Sequence, residues 1–182
     1  KKIRLIQLSL EEDSCREVSD IGHTRIYRTD RLGMPLIETV TYPDMTNPDE
    51  VMEACNYIRF LGRSTGKVRT GIGAGRQDVN VSCKGGTRVE IKGVAHSRWI
   101  PELTHNECFR QWALLAIRDI LNSRFDDPKV WKPTHATLDL HSFNSKNGFT
   151  KDARSSKHVI VALNLPGFKG ILSHFTQPGK MF

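Results

Sequence analysis

Asp30-Arg31-Leu32-Gly33-Met34-Pro35-Leu36-Ile37-Glu38-Thr39-Val40-Thr41-Tyr42-Pro43-Asp44 is the stretch on which the reading of the fold turns. Taken as a strand from Met34 to Tyr42, it alternates so that Leu36, Glu38 and Val40 share one face and Ile37, Thr39 and Thr41 the other. Glu38 then stands among apolar neighbours, where a carboxylate is costly unless a cation, a metal or a donor satisfies it. A surface ion pair at a sheet edge is the plain alternative. Pro43 ends the strand because proline cannot continue a ladder, and Asp30 to Gly33 reads as a turn in which Gly33 takes unusual backbone angles.

Upstream, Thr24 to Thr29 reads as a short strand, and Ile3 to Leu10 alternates with Ile6, Leu8 and Leu10 on one face. If that strand continues, Glu12 falls on the same face. The run Glu11-Glu12-Asp13 reads equally well as a solvated acidic turn.

Downstream, Asn47 is placed as an N-cap, with Pro48 at the first helical position, Asp49 and Glu50 in the first turn and Gly62 past the end. Val51, Cys55, Ile58 and Leu61 make the buried stripe of that helix. Gly62 to Arg76 is a basic, glycine-rich loop that is neither a dinucleotide fingerprint nor a Walker loop, since the lysine-serine pair is missing and a strand follows. Its amides can cradle phosphate oxygens with Arg76 adding charge, or it is a flexible connector.

Asp78 to Ser82 and Arg88 to Lys92 read as two strands around Lys84-Gly85-Gly86. A three-residue loop with a glycine bulge pairs Asp78 with Lys92 and Asn80 with Glu90, keeping one polar and one apolar face. That polar face is either a lattice of ion pairs or a charged floor. Thr104 and Glu107 fit a capping box before a second helix with the stripe Phe109, Trp112, Ala113, Ala116, Ile117, Ile120 and Leu121. His135, Thr137, Asp139 and His141 share a strand face, with a metal triad as the less favoured reading. Asn147 to Ser156 reads as a polar loop, His158 to Leu165 as an apolar strand, and a boundary falls near Leu165-Pro166-Gly167.

Charged residues at 26% and apolar ones at 38% describe a soluble globular protein, and no apolar run is long enough to span a bilayer. With no charged-then-apolar leader, a cytoplasmic setting without membrane is expected. A net charge of +7 points toward a polyanionic partner. Cys15, Cys55, Cys83 and Cys108 form no C-x-x-C pair, which predicts reduced thiols rather than a zinc knuckle. Both ends read as cut from a longer chain.

Leu10-Glu11-Glu12-Asp13-Ser14, the opening stretch through Pro43-Asp44, Gln77 to Ser82 and Arg88 to Val94 together resemble the GatE chain, and more distantly the GatB chain, of the glutamyl-tRNA(Gln) amidotransferases. The resemblance implies an α+β fold: a curved, mainly antiparallel sheet with helices packed on one side, the cradle also seen in glutamine synthetase and guanidino kinases. On that reading residues 1–165 are part of the cradle domain, lacking its N-terminal strand. Residues 166–182 begin an insertion domain like that of bacterial aspartyl-tRNA synthetases.

The implied reaction phosphorylates, with ATP and Mg2+, the γ-carboxylate of glutamate misacylated on tRNA(Gln), and then amidates it with ammonia from an asparaginase-like partner subunit. Phosphoryl transfer onto a carboxylate gathers negative charge, which divalent cations on oxygen ligands offset. Glu12, Glu38, Asp78 and Glu90 match acidic positions of the family's metal and catalytic centre. Arg31, Arg76, Arg88 and Lys92 are assigned to the ATP phosphates on charge and position. Without the family's Gly-Leu-Glu-Val-His type motif and its C-terminal tRNA-gripping domains, the piece by itself is expected to be inactive. The alternative function is a non-catalytic, tRNA-binding homologue of the same fold.

Overall fold

The computed structural model describes residues 1–71, 73–138, 146–156 and 158–178. Its strands are β1 (Leu5–Glu12), β2 (Arg16–Ile21), β3 (Thr24–Arg28), β4 (Pro35–Thr41), β5 (Gln77–Val81), β6 (Val89–Val94), β7 (Thr134–Leu138) and β8 (Ile160–Asn164). The α-helices are α1 (Pro48–Ser64), α2 (Ile100–Arg124) and α3 (Gly148–Ser155). The chain is thus a mixture of helix and sheet, as expected. Among the described residues the strands pair two by two, β1 with β4, β2 with β3, β5 with β6 and β7 with β8, rather than in one continuous curved sheet. Three of these ladders are antiparallel.

Contacts divide the chain into two units, Lys1–Val79 with Ile91–Thr104, and Asn80–Glu90 with His105–Phe182. In the first, Ala54, Val79, Val94 and Ile100 are buried. Ile100 is fully enclosed, which contributes on the order of 1.5–3 kcal/mol for such a side chain. Among the described residues of the second unit, the buried apolar ones are Val81, Ala113 and Ile171.

Helix α1 starts where its capping residues dictate. Asn47 Oδ1 accepts the Glu50 amide at 2.9 Å, and the Glu50 carboxylate turns back to accept the Thr46 amide at 2.8 Å. Its end corrects the sequence reading: Gly62 lies inside the last turn, and Gly66, at φ 68°, takes the left-handed position beyond the cap.

Helix α2 likewise begins at Ile100, ahead of the expected capping box, with Pro101 tolerated in the first turn. Thr104 and Glu107 are interior residues, and Glu107 accepts instead from Arg110 and Gln111. Residues 147–156, expected as a polar loop, hold α3, started by Asn147 Oδ1 accepting the Phe149 amide. The hairpin β2–β3, turned at Gly22-His23 with Gly22 at φ 62°, was not anticipated beyond its second strand.

Between β5 and β6 the chain does not make the expected three-residue loop. The strands stop at Val81 and restart at Val89, and the Gly86 amide donates to Cys83 O at 3.0 Å to close a turn in which Gly85 has φ 84°. Buried Gln111 supports this connection from α2, donating to Val81 O at 3.0 Å and accepting the Cys83 amide at 3.1 Å. The alternation in β5 and β6 is as expected: Val79 and Val81 are buried while Asp78, Asn80, Glu90 and Lys92 are exposed. All four cysteines are free thiols.

Candidate functional site

The register of β1 against β4 decides what Glu38 faces. Leu10 lies opposite Ile37, Ser9 opposite Glu38, and Glu12 opposite Pro35. Residues directly opposite one another share a face, so Glu38 lies with Ser9, Leu36 and Glu11, whereas Glu12 lies with Leu10 and Ile37 on the reverse. Glu38 is exposed rather than enclosed, and its Oε2 accepts the Ser9 hydroxyl at 3.3 Å. The acid that shares its face is Glu11, which the sequence reading left unassigned. Only the pairing of two distant strands distinguishes Glu11 from Glu12.

Asp78 accepts the Gly93 amide at 2.7 Å through Oδ1 and lies 3.7 Å from Lys92 Nζ through Oδ2. That is the ion pair expected between these strands. Glu12, Glu38 and Asp78 belong to the first unit and Glu90 to the second. Among the described residues no three His, Cys, Asp or Glu side chains are grouped closely enough to hold a metal ion. Glu12 and Glu38 lie on opposite faces of the ladder, and Asp78 has two partners. Of the alternative His-Asp-His triad, Asp139 and His141 lie outside the described residues.

The basic residues separate into two kinds. Arg31 is mostly covered, and its Nε stands 3.4 Å from Oδ2 of buried Asp13. Asp13 is a local hub: its Oδ1 accepts the Cys15 amide, its amide donates to Met34 O and its carbonyl accepts the Gly33 amide. This braces Cys15, a non-glycine residue at φ 69°, and the turn into β4. Arg31 is thus occupied in holding β1 to the Glu38 strand. Arg76 and Arg88 are exposed and carry no ion pair among the described residues, and Lys92 is engaged with Asp78.

Next to the ladder, Arg4 grips Asp44 through Nη2 at 2.6 Å and Nε at 3.1 Å and lies over the Tyr42 ring at 4.6 Å. The Arg4 guanidinium holds the Asp44 carboxyl at about 2, and the Lys1 ammonium beside Glu50 holds that carboxyl at about 2. In the second unit, burial raises the Cys108 thiol, with Cys83 and Glu107 adding to the effect.

An antiparallel ladder with acids on an exposed face, followed by a capped helix and a basic glycine-rich loop, is a module of mixed helix and antiparallel sheet. The chain belongs to the family described as the GatB/GatE catalytic domain, which it matches over residues 1–160. It is similar to proteins named as the E subunits of glutamyl-tRNA(Gln) amidotransferases. That of Sulfolobus acidocaldarius is 40% identical, covering 100% of this chain and 29% of the relative. Those of Methanocaldococcus jannaschii and Aeropyrum pernix are 37% and 39% identical, over 98% and 100% of this chain and 28% of each relative. The chain therefore spans less than a third of the length of these relatives. No helix among the described residues is long and apolar enough to cross a membrane.

Proposed function

We propose that this chain is part of the kinase and transamidase centre of a tRNA-dependent amidotransferase, a carbon-nitrogen ligase of protein synthesis working in the cytoplasm. Its substrate is tRNA(Gln) carrying glutamate, ATP with Mg2+ is the phosphoryl donor, and an asparaginase-like subunit supplies ammonia. Membership of the GatB/GatE catalytic domain family over most of the chain carries the reading. In the whole protein the ladders belong to a cradle over residues 1–165, and residues 166–182 open an insertion domain.

A γ-carboxylate oxygen attacks the γ-phosphorus, ADP leaves, and ammonia then displaces phosphate from the acyl carbon, shedding a proton. Glu38 is the carboxylate that accepts that proton, a role supported by its exposure and its hydrogen bond from Ser9. Glu12, Asp78 and Glu90 remain acids of the centre, with Glu11 added because it shares the face of Glu38. Mg2+ would accompany ATP as its counter-ion, offsetting the charge gathered at the phosphates. Arg76 and Arg88, exposed and without ion pairs among the described residues, are available to phosphate oxygens, with Lys92 beside Asp78.

The test is Glu38→Gln in the full-length protein with Glu-tRNA(Gln), ATP and ammonium chloride in place of the ammonia-supplying partner. Gln-tRNA(Gln) formation should be lost with the circular dichroism spectrum unchanged, and retained amidation would remove Glu38 from the centre. The alternative reading is a homologue that docks tRNA without catalysis. ATP consumption that depends on charged tRNA would eliminate it.

A further inference from the structure

A cavity of about 220 Å3 opens in the first unit, lined by Arg59 of α1 and by His96, Ser97 and Arg98 at the short 3-10 turn that precedes α2. The His96 ring stands edge-on to Trp99 with centroids 4.5 Å apart, which fixes the imidazole by the cavity. The glycine-rich loop reaches the same place, since a Cβ on Gly75 would stand 3.7 Å from Arg59 Nε. No acid lines the cavity. Arg4, Arg16, Arg25, Arg31, Arg110 and Arg118 each have a carboxylate, but Arg59 and Arg98 have none among the described residues.

Two arginines with no carboxylate partner among the described residues, a histidine and a serine thus line one cavity and make its lining basic and polar. An anion that accepts from both arginines balances their charge. Planar forks of this kind favour a tetrahedral oxyanion, which offers paired acceptor oxygens to each guanidinium. The opening to solvent admits a phosphate that remains attached to a larger molecule.

We propose that this cavity binds a phosphate ester group of a polyanionic ligand, either a nucleotide phosphate or a phosphodiester of an RNA strand. The proposal deepens the reading above and rests on it only for the expectation that both kinds of ligand visit the protein. Phosphate binding is measured without amidation, so either idea can fail alone.

The test titrates the full-length protein with metal-free ATP and, separately, with a synthetic RNA hairpin. Wild type is compared with Arg59→Gln/Arg98→Gln and with a charge-matched control, Arg28→Gln/Lys129→Gln, outside the cavity. The cavity variant should weaken at least one of the two ligands by about tenfold or more, with the control within about twofold. Whichever ligand is weakened names the source of the phosphate. Equal affinity of wild type and cavity variant for both ligands would overturn the proposal. Should that variant not fold, inorganic phosphate added to the wild-type protein must move the Ser97 and Arg98 amide resonances saturably, and unmoved resonances overturn the proposal as well.

Discussion

Ser9 donates its hydroxyl to Glu38 across the β1–β4 ladder at 3.3 Å, so the acid expected among apolar neighbours is in fact met by a polar group from the facing strand. The contact is exposed, and an exposed neutral-to-charged hydrogen bond contributes about 1 kcal/mol. Ser9→Ala in the full-length protein should therefore lower kcat about two- to fivefold with KM for Glu-tRNA(Gln) little changed. Steady-state kinetics with ammonium chloride would show it, and a change confined to KM would place Glu38 in binding alone.

Glu11 and Glu12 offer a sharper comparison because adjacent residues in a strand face opposite ways. Glu11→Gln should reduce amidation by about tenfold or more if the face of Glu38 is the working one. Unchanged activity in Glu11→Gln would take Glu11 out of the centre.

Asp13 and Arg31 form a largely covered pair at the entry to β4. Removing Asp13 leaves the Cys15 amide without its acceptor and the covered guanidinium without its counter-ion, so Asp13→Ala should destabilise the fold by about 1–3 kcal/mol. Urea unfolding measures this directly. An unaltered midpoint would mean that the tie does not hold in solution.

Gln111 satisfies one carbonyl and one amide of the β5–β6 connection at once. Gln111→Ala should cost about 1–3 kcal/mol by leaving both without partners. Gly86→Ala should also destabilise, because its Cβ would lie 2.5 Å from Gln111 Oε1 and 3.0 Å from Cys83 Sγ. Thermal unfolding of both single variants and of the double would test the shared cause: the double should lose less than the sum.

The start of the chain is tied to residues 44–50 through carboxylates held at about 2, against ordinary values of 3.8 for Asp44 and 4.5 for Glu50. A folded value below the unfolded one means stability present at neutral pH, complete above the unfolded value and lost as pH falls through the folded one. These ties should weaken below about pH 4.5 and vanish near pH 2. Carboxyl carbon resonances followed by NMR should give midpoints below the ordinary values, and Asp44→Asn should remove part of the acid sensitivity.

What was legible in the sequence was local. The start of α1 was readable because Asn47, Pro48 and Glu50 act within one turn, and the alternation of β5 and β6 because period two needs no partner. Its end was misplaced because a glycine is tolerated inside a final turn while the left-handed position four residues later fixes the stop. Helix α2 begins early because the enclosure of Ile100 outweighs a capping pattern that is only a weak local preference. Helix α3 escaped because a short, polar segment carries little periodic signal. For the site, the residue types were readable, but the face of each acid depends on which residue of β1 meets which residue of β4. A slip of one position reverses every side chain, and nothing within either strand determines it.

That pairing leaves Leu8, Leu10 and Ile37 on the reverse of the ladder, with Leu10 at 76% and Ile37 at 66% of full exposure. Two strands that, among the described residues, pair only with each other also keep a free row of amides and carbonyls along each outer rim. Expressed without a cover for that rim, the chain would recruit strands from its own copies, so its solubility would decline with concentration long before its helices unravel.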